Sequence, residues 1–219
     1  MYVQRSNGYP TLIDVPREGT APLLAKVLGI TAVGFLVTAV GVATAPAWSM
    51  LPGFIAVLVL VFAINSARRG APAKALGLFM VLAYFMGWEI APIIHNYIRT
   101  VGSNVVFQAA LTTGLGMGAM GCFAYLFNIN YRKVAGIATA ALLALIVVGI
   151  VSMFLHFIEP NTYSWIALGI FTLLTVADFA RIRAGGDGAS ATMLALSIYL
   201  DAINIFMILL QLLSGRRKD

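Results

Sequence analysis

The chain alternates long apolar runs with short polar breaks. Seven runs stand out, over residues 23–45, 48–67, 75–97, 104–128, 134–157, 163–181 and 190–213. Each is close to the roughly 20 residues a helix needs to cross the hydrocarbon of a bilayer. The breaks carry turn and charge signals: Pro46, RRGAPAK from Arg68, RTVGS from Arg99, NYRK from Asn130, EPNT from Glu159 and RIRAGGDG from Arg181. Connections this short predict antiparallel neighbours. The pattern predicts an all-α membrane protein with seven transmembrane helices over 22–214, a cytoplasmic N-terminal tail over 1–21 and a short basic C-terminal tail over 215–219.

Within the runs, small residues recur at helical spacing. Gly114 and Gly118 form a G-x-x-x-G pair, and Ala83, Gly87 and Ala91 make a stripe at intervals of four. Small residues let helix backbones approach closely in lipid, so both stripes predict tight crossings.

Composition agrees with the pattern. The 219 residues are 61% hydrophobic and 10% charged, and the mean hydropathy is +0.94. Soluble domains carry about 25% charged residues. The net charge of +6 sits in the breaks, which points to topology and lipid contact and away from nucleic acid. A single cysteine, Cys122, excludes an internal disulfide and a thiolate metal cluster. The polar start, with Arg5, Asp14, Arg17 and Glu18 ahead of the first apolar run, does not read as a cleavable signal peptide.

Basic residues set the expected orientation. With a cytoplasmic N-terminus, the inner side holds Arg5, Arg17, Lys26, Arg68, Arg69, Lys74, Arg132, Lys133, Arg181 and Arg183, while the outer loops hold only Arg99. Arg216, Arg217 and Lys218 then fall outside, against the rule. The run 190–213 nevertheless has no Pro or Gly to support a re-entrant turn, so seven full spans are expected. A bacterial inner membrane is the expected location.

Two carboxylates stand in apolar text. Asp201 lies near the middle of the seventh run, and Ser197, Asp201, Asn204 and Gln211 share one helical face. Asp178 lies near the cytoplasmic end of the sixth run. An ionised carboxylate in hydrocarbon costs at least a few kcal/mol, and such residues face a bundle interior and have partners. Two carboxylates held together cannot both ionise cheaply, so they share a proton. Both ionised, they offer hard oxygens to a divalent cation such as Ca²⁺. The alternative is a polar cluster that merely holds helices six and seven in register. Arg68 and Arg69 are the cationic candidates on the same side. Glu89, His95, His156 and Glu159 lie near the outer surface, where nothing in their spacing requires a metal.

The segment ALSIYLDAINIFMILLQLL, Ala195 to Leu213, resembles the C-terminal signature of the transmembrane Bax inhibitor motif family, the Bax inhibitor-1-like proteins. Ser197, Tyr199, Leu200, Asp201, Ile203, Asn204 and Phe206 carry the match. GWEIAPII in the third run and ADFARI in the sixth are similar to further family stretches. The resemblance implies six helices around a central seventh, and a pH-sensitive calcium leak. It implies an acidic pair at Asp178 and Asp201, with a helix-two arginine, Arg68 or Arg69, latching the pair. The chain departs from the family pattern at Ala202, where an aromatic is usual, and at Gln211, a position often basic. Some relatives lack the helix-six aspartate and are linked to restraining a membrane-bound AAA protease.

Two readings follow from the residues and the resemblance together. One is a pH-gated calcium or cation leak without cofactor, in which protons and Ca²⁺ compete for the aspartates. The other is a non-enzymatic regulator that binds a membrane protease, with the tail as a handle. An intramembrane aspartyl protease would need a G-x-G-D motif inside a helix, and the nearest text, Ala184-Gly185-Gly186-Asp187, falls in a loop. A retinal Schiff base would need a lysine in helix seven, which the run 190–213 lacks.

Overall fold

A computed structural model describes residues 19–67, 72–155 and 157–215. Arg5, Arg17, Arg68, Arg69, His156, Arg216, Arg217 and Lys218 lie outside the described residues. Among the described residues seven α-helices follow one another: α1 Thr20–Thr44, α2 Met50–Ala67, α3 Pro72–Thr100, α4 Ser103–Leu126, α5 Tyr131–Leu155, α6 Pro160–Arg183 and α7 Ala191–Gly215. One 3₁₀ turn, Gly186–Gly188, precedes α7. Six of the helices are long and apolar enough to cross a membrane, and α2 is the shorter one. Its 18 residues give about 27 Å, slightly less than the ~30 Å hydrocarbon core.

Starts and breaks have local causes. Proline suits a first helical turn, where its missing N–H has no intrahelical partner to lose. Pro72 and Pro160 open α3 and α6 accordingly. Pro92 lies inside α3 and cannot donate to the carbonyl four residues earlier. That carbonyl, of Trp88, instead accepts from the Ser49 hydroxyl at 2.8 Å. The turn into α7 bends through the left-handed region at Gly185 (φ 90°) and Asp187 (φ 54°), a conformation open to Gly and tolerated by Asp.

The outer surface is apolar. Phe62 is 74% exposed and Phe154 78%, which suits a lipid solvent. Burial differs sharply between spans, at 56% for α7 against 11% for α5. The principal neighbours of α7 are α1, α3, α4 and α6, while α2 packs mainly on α3, and α5 on α6.

The buried face of α1 runs Leu23, Val27, Thr31, Gly34, Thr38 and Gly41, the three-and-four spacing of a helix seam. Where α1 crosses α3, the backbones nearly touch: a Cβ on Gly41 would collide with the Tyr84 carbonyl, and one on Gly87 with the Thr38 carbonyl. The Gly87 stripe thus forms the expected tight crossing. Thr38 sits at its centre, 2.6 Å from the Tyr199 hydroxyl and donating toward the Ala83 carbonyl. Tyr199 is wholly buried, with Phe79 edge-on to its ring. The other stripe departs from expectation. Among the described residues a Cβ on Gly114 or Gly118 would meet nothing within 4 Å, because that face of α4 opens onto an apolar groove.

Candidate functional site

The antiparallel crossing of α6 and α7 sets the site. Thr175 and Asp178 are three residues apart on α6, and Ser197 and Asp201 are four apart on α7, so each pair shares a face. The Thr175 hydroxyl donates to Oδ2 of Asp201 at 3.3 Å and also lies 2.8 Å from the Phe171 carbonyl. Ser197 sits against the Asp178 carboxyl. Two rungs result, Thr175 with Asp201 and Asp178 with Ser197, separated along the helices by about 4.5–6 Å, or one turn.

Asp201 is only 7% exposed, and Asp178 is near enough for the two charges to act on each other. No direct hydrogen bond joins the carboxyls among the described residues. Arg181, one turn beyond Asp178 on α6, acts on the Asp178 charge. Arg68 and Arg69 lie outside the described residues, so their relation to the pair is not part of this geometry.

The rest of the polar face of α7 does not join the site. Asn204 turns back on its own helix and donates to the Leu200 carbonyl at 2.8 Å. Gln211 is exposed at the far end. Helical spacing aligned these residues with Asp201 but could not say which would meet α6. Thr175 and Arg181 were missed. Their signal was present, since both stand three residues from Asp178 on the same face.

As a cation site, the cluster offers two carboxylates and two hydroxyls. Calcium takes six to eight oxygens, so these residues fit an ion that keeps part of its water shell. Among the described residues no group of three or more His, Cys, Asp or Glu comes together, so Glu89, His95 and Glu159 form no metal cluster.

Asp187, the aspartate of the glycine-rich loop, lies away from the pair. It bridges to Arg132 at 2.8 Å, and this guanidinium holds its carboxyl below the usual carboxylate range. Arg183 fastens the adjacent turn, donating to the Tyr125 and Phe127 carbonyls and to Oδ1 of Asn128. Its cation thereby satisfies carbonyls left free at the end of α4.

Apolar spans enclosing two carboxylates on adjacent helices define a polytopic membrane protein with an acidic intramembrane site. The sequence profile of the family described as "Inhibitor of apoptosis-promoting Bax1" matches residues 20–218, and the chain belongs to that family. It is 30% identical to an uncharacterized protein of Borreliella burgdorferi over 236 residues, 95% of this chain and 100% of that protein. It is 32% identical to an uncharacterized membrane protein of Streptococcus pyogenes over 167 residues, 71% of this chain and 69% of that one. It is 25% identical to the Escherichia coli inner membrane protein YbhL over 230 residues, 92% of this chain and 95% of YbhL.

Proposed function

We propose that this protein is a passive, pH-sensitive leak for calcium or related cations, with Asp178 and Asp201 as both ion site and proton sensor. One observation carries the reading: Asp201 is buried beside a second carboxylate, with a hydroxyl as its hydrogen-bond partner. A cluster needed only to keep α6 and α7 in register would avoid two like charges in a low-dielectric interior, where each costs several kcal/mol. Acidic pairs that share protons and cations answer to pH. In this reading α7 is the central, gating helix, which its high burial and its packing on α1, α3, α4 and α6 support. The chain acts without enzymatic chemistry or cofactor, in a bacterial inner membrane with the N-terminus cytoplasmic. The competing reading, a regulator bound to a membrane AAA protease, rests on the resemblance alone.

The test is Ca²⁺ flux into proteoliposomes across pH 5–8. Protonation at one site changes a population at most tenfold per pH unit, so flux should follow a slope no steeper than that. Asp178→Asn and Asp201→Asn should each flatten the profile. The double variant should add little, because residues acting as one unit are not additive. A folded Asp201→Asn protein with the wild-type pH profile rejects the sensor, and no flux above empty liposomes rejects the leak.

A further inference from the structure

The hydroxyl that meets Asp201 has a second acceptor within reach. Oγ of Thr175 stands 3.3 Å from Oδ2 of Asp201 and 2.8 Å from the carbonyl of Phe171, one turn earlier on α6. A hydroxyl has one proton to give and lone pairs to receive another. Its proton can go to either oxygen but not to both. We propose that Thr175 is a positioning residue for Asp201: its hydroxyl turns between Oδ2 and the Phe171 carbonyl, so that the carboxyl keeps a partner whether it is ionised or carries a proton.

Burial makes such a partner necessary. Thr175 is wholly buried and Asp201 nearly so, and among the described residues Thr175 gives Asp201 its one side-chain hydrogen bond. A buried polar group left without a partner costs more than an ordinary hydrogen bond contributes. A carboxyl that changes charge here therefore needs a neighbour for both states. A cation serves only the anion, and a carbonyl serves only the acid. A hydroxyl serves both by turning about its own C–O bond, with no helix movement. With Asp201 ionised, Thr175 donates to Oδ2. With Asp201 protonated, the acid donates to Oγ and the Thr175 proton goes to Phe171. The contact with Phe171 has the ordinary O–H···O length, and the one with Oδ2 is longer, so the hydroxyl is not committed to the carboxyl.

The bond to the carbonyl four residues earlier marks no special role by itself, since Thr113, Ser164 and Thr172 make it too. Thr175 differs in having a carboxylate as its second acceptor. Asp178 acts on the Asp201 charge, and Arg181 acts on Asp178. The other charged groups on the helices packed against α7 are Lys26 of α1, Lys74, Glu89 and Arg99 of α3, and Arg183 of α6; His95 of α3 can gain charge, and α4 has no charged residue. All of these stay in place when Thr175 is replaced, so a change at Asp201 reports the hydroxyl.

Infrared difference spectroscopy of the full chain in liposomes, titrated from acid to alkaline pH, tests this. The carboxylic acid band that Asp201→Asn removes belongs to Asp201. In Thr175→Val, which keeps the shape and drops the hydroxyl, that band should move to higher wavenumber, because the acid has lost its acceptor. Its midpoint should move by less than about one pH unit, a tenfold change in proton affinity, since both charge states lose the same partner. Thr175→Ser should restore the wild-type band. Thr175→Ala backs up the valine variant, and circular dichroism checks that each is folded. A band at the wild-type position in the variants without the hydroxyl overturns the proposal and leaves Thr175 with its Phe171 bond alone. A midpoint moved by more than about one unit overturns it too, because the hydroxyl then serves one charge state only. The inference rests on the proposed change of charge at Asp201 but not on ion flow. A shifted band without Ca²⁺ flux therefore rejects the leak alone, whereas no Asp201 band at any pH overturns this inference.

Discussion

The same substitution at two glycine stripes should have opposite effects. Gly41 and Gly87 meet backbone to backbone at the α1–α3 crossing, and an added methyl on either would strike a carbonyl oxygen. A backbone cannot swing aside as a side chain can, so the helices must separate, loosening the contact between Thr38 and Tyr199. Overpacking of this kind costs about 1–3 kcal/mol. Gly114→Ala has no such neighbour, since its new Cβ would find nothing within 4 Å. There the removal of a flexible glycine from a helix interior contributes about 0.5–1 kcal/mol of stability. The two variants should therefore differ by about 1.5–4 kcal/mol. At about 2–4 °C per kcal/mol for a chain of this size, thermal unfolding in detergent, followed by circular dichroism, resolves the difference. Gly41→Ala plus Gly87→Ala should cost less than the two singles together, because the residues share one contact. Equal melting temperatures for Gly87→Ala and Gly114→Ala would refute the reasoning.

Two further predictions concern charge and topology. Arg132 lowers the titration of Asp187, largely through their direct hydrogen bond, so the stabilisation from this pair is present above the unfolded carboxylate value near 4 and fades as pH falls through the lower folded value. Asp187→Asn should lower the pH 7 melting temperature only slightly and remove the same small increment from the acid dependence, since exposed pairs contribute little; a loss of several degrees at pH 7 would contradict the assignment. A reporter fused after Asp219 should read as periplasmic, and a cytoplasmic signal would mean that one of the seven helices does not cross.

Much of this protein was legible in the sequence because its solvent is hydrocarbon. A backbone in lipid must satisfy its own amides, so each long apolar run had to become a helix, and the seven observed helices keep the expected order with ends shifted by a few residues. A charge in such a run must have a purpose or a partner, so Asp178 and Asp201 were visible at once. Periodicity along one helix carries no information about which face meets which neighbour. Only the packing showed that Ser197 and Thr175 join the aspartates, that Asn204 folds back on Leu200, and that Gln211 is exposed. The glycine stripes make the same point. Small residues permit close approach without compelling it. At Gly87 another backbone arrived, and at Gly114 and Gly118 none did, leaving an open groove that only the relative placement of α1, α4 and α7 could create.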